Sequence, residues 1–150
     1  NRQNVQQIKE SNRKVVEQLQ EEKNEYEQRI RMLQSRLWAI ELRESTPVAR
    51  ICEIAKKREE HPTSKEWEDA TKAIEQRFPC MGMIKEIKNI GPVEYRTCLL
   101  LKAEIGLSDI VYLMNTDHAK LAMLRMRKQA KICNMDGKAR DFDSYLRQLL

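Results

Sequence analysis

The chain is poor in the residues that break helices and build loops. It has four Gly and four Pro in 150 residues, and aromatic side chains make up 5% of it. So little glycine leaves little room for phosphate-cradling loops, and the GxxxxGK[ST], GxGxxG and HExxH patterns are all missing. Few aromatics and few β-branched runs argue against a β-sandwich or a barrel. No apolar run approaches the ~20 residues of a membrane span, and there is no signal peptide, so the expectation is a soluble, cytoplasmic protein. The four cysteines, Cys52, Cys80, Cys98 and Cys133, are spaced 28, 18 and 35 apart, without the CxxC pairs of a zinc knuckle or redox motif. The two histidines stand near no nucleophile, so an acyl-transfer triad is hard to assemble. These absences predict no enzyme activity, no metal, no cofactor and no small-molecule substrate.

What is present is a surplus of helix formers. Gln, Glu, Lys, Arg, Leu and Met dominate, and charged residues reach 34%. The expected fold is all-α. The net charge of +5 is unevenly spread: residues 1–44 carry +1, residues 45–84 are neutral and residues 85–150 carry +4. Between Asp117 and Asp136 there is no acid, only Lys120, Arg125, Arg127, Lys128 and Lys131. An acid-free basic stretch on a helix suggests a polyanion, most simply nucleic acid. A solvated helix face is the bland alternative.

Residues 3–44 contain neither Gly nor Pro. Val5, Asn12, Leu19, Tyr26, Leu33 and Ile40 recur every seven residues, like the a positions of a heptad, with Ile8 and Val15 at d. Further on the d slots fall on Glu22, Arg29 and Arg36, and the apolar partners become Ile30 and Leu37. That shift is a stutter near Tyr26–Ile30. A helix of this length spans ~60 Å at ~1.5 Å per residue, so its stripe needs a partner helix. The expected arrangement is a homodimeric coiled coil over residues 1–44, with Asn12 favouring two strands in register. A helix folding back on its own domain is the alternative, and parallel versus antiparallel pairing stays open.

Residues 45–89 read as a helical connector. Ser45-Thr46-Pro47 punctuates the long helix, with Thr46 as expected N-cap and Pro47 in the first turn. His61-Pro62 ends the next helix, and His61 reads as a surface residue. Thr63-Ser-Lys-Glu66 is a capping box, followed by Trp67, Ala70, Ile74 and Phe78 at helical spacing. Gly91-Pro92 opens a helix that Gly106 breaks. Ser108 is the expected cap of a short helix over residues 108–114, Asn115-Thr116 a turn, and Asp117 the cap of a basic helix reaching about Lys131. Two helices joined by a tight turn, the second basic, have the outline of a helix-turn-helix. Along the second, the buried stripe takes Leu121, Leu124 and either Lys128 or Arg125. A final helix runs from Ala139 to Leu150 after a turn at Asp136-Gly137.

The segments Ile90-Gly-Pro-Val-Glu-Tyr-Arg-Thr-Cys-Leu-Leu-Leu-Lys102, Gly106-Leu-Ser-Asp-Ile-Val-Tyr-Leu-Met-Asn115, Arg125-Met-Arg127 and Phe142-Asp-Ser-Tyr-Leu-Arg147 resemble one family. It is the C-terminal output region of bacterial regulators that join tetratricopeptide repeats, a membrane span, a coiled coil and a LuxR-like helix-turn-helix. The resemblance covers roughly residues 48–149 and implies a transcription regulator whose signal arrives upstream. It implies that Glu94, Ser108 and Asp109 are structural helix-start positions, and that Asp117, His118, Lys120 and Arg125 fall in the recognition helix. Where the family carries small polar residues, this chain has Ala119, Leu121, Ala122, Met123, Leu124 and Met126.

The combined expectation is a homodimeric regulator that binds double-stranded DNA, with domains at 1–44, 45–89 and 90–150. DNA contact falls to His118, Lys120, Arg125, Arg127, Lys128 and Lys131. Dimerisation falls to Val5, Ile8, Asn12, Val15, Leu19, Tyr26, Leu33, Leu37 and Ile40. The competing reading is a protein-interaction module built on a helix-turn-helix that no longer binds DNA.

Overall fold

The computed structural model describes residues 1–87, 90–132 and 139–150, with the backbone alone described for 128–132 and 139–141. The described part is all-helical: α1 (Arg2–Glu44), α2 (Thr46–Lys57), α3 (Ser64–Arg77), α4 (Met81–Lys85), α5 (Pro92–Lys102), α6 (Leu107–Leu113), α7 (His118–Ile132) and α8 (Ala139–Gln148). None of the described helices is long and apolar enough to cross a membrane.

One hydrophobic core gathers α1 through α8, running from Ala39 and Leu42 through Ile51, Ile54, Trp67, Ile74, Phe78, Leu99, Leu100 and Ile110 to Leu121, Phe142 and Leu146. The last turns of α1 therefore belong to the globular unit. Ser35, Ala39 and Leu42 are buried, and Trp38 packs its ring against Phe78 with centroids 5.9 Å apart. This core draws on residues from both sides of the expected boundaries at 44 and 89.

At ~100° of helix rotation per residue, Ser35, Ala39 and Leu42 point ~160° away from the seam of Leu33, Leu37 and Ile40. The core is thus served by one face of α1. The opposite face stays in solvent, with Leu33 66%, Leu37 50% and Ile40 41% exposed. Before Met32 every residue of α1 is exposed.

Local chemistry sets the helix ends. Thr63 and Glu66 form the expected capping box, the hydroxyl accepting the Glu66 N–H at 3.2 Å and the carboxylate accepting the Thr63 N–H at 3.0 Å. At α2 the N-cap is Ser45 rather than Thr46. Ser45 also closes α1, and its hydroxyl turns back to the Leu42 carbonyl, so the start of α2 rests on Pro47. Gly106 does not end α5. The left-handed residue is Glu104 (φ 55°), and α6 ends likewise through Asn115 (φ 52°). Each end is a Schellman motif: Ile105 and Thr116 donate to Leu100 and Val111, five residues back, and Glu104 and Asn115 to Leu101 and Tyr112, three residues back. Gly106 is instead the N-cap of α6, which starts at Leu107, two residues before a Ser108 cap would allow.

Lys102 lies at the centre of the unit, 1% exposed. Its ammonium donates to Ser35 Oγ of α1 at 3.3 Å and to the Leu146 and Leu149 carbonyls at the end of α8, above the Phe78 ring at 4.6 Å. Carbonyls at a helix C-terminus carry partial negative charge and favour a cation. Burial opposes it, and pushes the Lys102 pKa down to about 8 from an ordinary 10.5, with Cys80 and Glu104 acting weakly upward. Above about pH 8 the folded chain releases this proton while the unfolded chain keeps it to about 10.5, so stability rises with pH across that window. Urea unfolding of the parent and Lys102→Met chains should diverge there, by at most ~3 kcal/mol. Parallel pH dependences would mean that the ammonium is not desolvated.

Candidate functional site

The sequence places the functional candidates on α7, and burial sorts them. Leu121 and Arg125, one turn apart, face inward with exposures of 3% and 8%. Lys120, Met123 and Arg127 lie on the outward face with Ala119 and Met126 beside them, all exposed. His118, at the first position of the helix, is exposed as well. Lys128 and Lys131 belong to the helix backbone, and their side chains lie outside the described residues, as do the Asp136-Gly137 turn and Cys133.

Arg125 is a correction to the expected DNA-contacting set. Its guanidinium grips Asp143 of α8 with both arms, Nε to Oδ1 at 3.0 Å and Nη2 to Oδ2, with side-chain exposures of 9% and 19%. A bidentate pair of this kind uses the directional donors of the guanidinium, so none of that charge is offered outward. Arg125, one of the two candidates for the third buried position, is buried; the side chain of Lys128, the other, lies outside the described residues.

At the helix entrance, Asp117 caps α7 by accepting the Lys120 N–H at 2.8 Å. Its other oxygen lies 3.8 Å from Lys120 Nζ, a loose pair on side chains 57% and 78% exposed. Such a contact is worth little in water and leaves the ammonium free to exchange partners. Arg127 has no carboxylate within ion-pair distance among the described residues. Lys120 and Arg127 are seven residues apart, so they share one side of the helix, ~10 Å apart along it. Between them is Met123, 51% exposed. Beside this face opens a cavity of about 570 Å³ bounded by Val93 and Thr97 of α5, the 114–116 turn, and Leu124 and Arg127 of α7.

No protein-family model, no curated protein and no solved structure matches this chain. The reading of the site therefore rests on its own geometry.

Two features escaped the sequence. His61 is exposed, yet it stacks on Tyr112 with centroids 4.4 Å apart and its Nε2 lies 3.0 Å from the Tyr112 carbonyl. Arg58, left-handed at φ 53°, lies over the same ring at 5.7 Å and 3.7 Å from Asp109. Together they fasten the α2–α3 loop to α6, the helix that precedes the basic face. The acidic residues and the proline beside His61 gave no hint of a partner 51 residues away. Glu94 was legible as a helix-start residue: its carboxylate accepts the Gly91 N–H at 3.4 Å.

The Arg125–Asp143 pair should be structural and the outward cations should not. Asp143→Ala leaves a guanidinium enclosed without its counter-charge and should cost ~3 kcal/mol of unfolding free energy. Lys120→Ala and Arg127→Ala should each stay within ~0.5 kcal/mol. Chemical denaturation of the three variants measures this directly. Equal losses in all three would remove the distinction between inner and outer charges.

Proposed function

We propose that this chain is the output part of a DNA-binding transcription regulator, homodimeric through α1, with α6, the 114–117 turn and α7 acting as a helix-turn-helix. The single observation that carries the reading is the outward face of α7, where Lys120 and Arg127 stand in solvent on one side of a helix that follows a tight turn. In that reading α6 crosses the phosphate backbone and the start of α7 enters the major groove. Lys120 and Arg127 neutralise phosphates, His118 lies at the helix start, and Met123 is positioned for apolar contact such as a thymine methyl. Affinity then comes mainly from charge, and base selectivity from few contacts.

The exposed methionines favour one other reading. Met123 and Met126, 51% and 46% exposed beside the cavity, form an adaptable apolar surface of the kind that binds other proteins. The two readings differ in their dependence on salt.

Duplex binding measured at several salt concentrations should give a linear log–log plot. Lys120→Ala and Arg127→Ala should each flatten its slope by ~0.9. A slope that neither substitution alters takes both residues off the backbone. Absence of duplex binding even at low salt would favour the protein-interaction reading.

A further inference from the structure

The apolar stripe of α1 does not stop where the globular unit begins. Val5, Ile8, Val15 and Leu19 are 49–60% exposed, and Tyr26, Ile30, Leu33, Leu37 and Ile40 are 41–66% exposed. At ~100° per residue the two halves of this stripe point within ~20° of each other, because the stutter cancels the drift that a strict heptad accumulates. The result is a seam ~50 Å long on one side of a straight helix. The core occupies the other side, and towards Ile40 the seam borders α8, where Leu33 and Ile40 line clefts with Arg147.

The charges beside the seam differ on its two flanks. One flank reads Glu22, Glu25, Arg29 and Arg36; the other reads Lys9, Lys23, Glu27, Gln34 and Glu41. Arg36 is exposed and lines a cleft of about 440 Å³ with Ile40 and Arg147, and it has no carboxylate within ion-pair distance among the described residues. In a parallel, in-register pair each flank meets the opposite flank of the other helix about five residues further on. Arg36 then meets the partner's Glu41, Arg29 meets the partner's Gln34, and Gln18 meets the partner's Lys23. The same rule sets Glu22 against the partner's Glu27 at the edge of the stutter, and elsewhere brings no like charges together. An antiparallel pair over the same seam sets each flank against itself. Lys23 then faces the partner's Lys23, Glu22 and Glu25 crowd their own copies near the dyad, and Arg36 faces only Gln7 and Ser11.

From these charges we infer that the outer face of α1 takes a second copy of this chain, parallel and in register, with the seam reaching Ile40 and closed by Arg36 against the partner's Glu41. This rests on the dimeric reading above and specifies its geometry. Both globular units then lie at the same end of the coil, as two α7 helices reading one duplex require. Glu41 already holds Arg77 at 2.6 Å, so the new contact extends that pair into a network of three charges.

The full-length chain tests this in two ways. In sedimentation equilibrium, Arg36→Glu and Glu41→Arg should each raise the dimer dissociation constant roughly tenfold, since each change acts at two symmetric contacts. Combining them should restore it to within about twofold. Separately, Asn12→Cys should form a disulfide-linked dimer under mild oxidation that the parent chain does not form, because in-register a positions face each other. A dimer that shows neither the recovery nor the Asn12→Cys link overturns the parallel geometry and leaves dimerisation standing. A chain that is monomeric at all concentrations overturns both.

Discussion

A single helix has to satisfy two surfaces, and the rest of the arrangement follows from how α1 divides its circumference. Its inner face near the C-terminus is made of small or flat groups, Ser35, Ala39 and the Trp38 ring, which let α2, α3 and α8 approach closely. Its outer face keeps Leu33, Leu37 and Ile40 away from that core. A helix with one apolar stripe would have to choose between covering the globular unit and pairing elsewhere. With stripes roughly opposite, it does not choose. The penalty is an exposed apolar seam of a size that soluble monomers rarely leave uncovered.

The same division governs charge on α7. A basic helix can lend its cations to solvent or to its own fold, and Arg125 and Arg127 take different routes two residues apart. Burying a guanidinium is tolerable when a carboxylate meets it in bidentate geometry, and Asp143 does so across the α7–α8 packing. The cation lost from the outer face is repaid by a fixed α7–α8 register. Among the described residues the cations left to solvent on this face are Lys120 and Arg127, with His118 at the helix start.

Features determined within a few residues were legible in the sequence. The Thr63–Glu66 capping box, Asp117 at the start of α7 and the proline-marked start of α5 are local hydrogen-bonding and steric problems, and their solutions are written beside them. Features that depend on distant partners were not. Arg125 reads like any other member of a basic run until Asp143 is known to face it, 18 residues later. Lys102 reads as one member of a helix face with Tyr95, Cys98, Leu99 and Leu101, and nothing near it in sequence points to its partners, Ser35 and two carbonyls at the end of α8. The inner face of α1 was hidden because the heptad seam accounted for most of the apolar residues. Trp38 and Leu42, both off the seam, were the signal that a second surface existed. The helix end at Glu104 was obscured for another reason: glycine is the usual left-handed residue, so Gly106 drew the eye. At Glu104 the strain is offset by contacts that glycine could not make in full, its carboxylate 3.2 Å from Arg147 and its carbonyl accepting from Arg43 at 3.3 Å.

These long-range contacts converge on α8. Its C-terminal carbonyls are held by Lys102, which also reaches Ser35 of α1, and its Arg147 binds Glu104, whose backbone is in turn bound by Arg43 of α1. Its Asp143 holds Arg125 of α7. Among the described residues α8 thus carries polar contacts both to the chain of bonds that reaches α1 and to α7. A charge buried at the middle of α8 and another at its C-terminal end make these links directional, because a guanidinium and a carboxylate, or an ammonium and helix-end carbonyls, keep their bonds only over a narrow range of orientations. Apolar packing alone would let α7 slide or roll against α8 at little cost. With α8 fastened at its middle and at its C-terminal end, the orientation of the outward face of α7 relative to the seam of α1 is set by geometry, and two stalks brought together would bring two such faces into a defined relation.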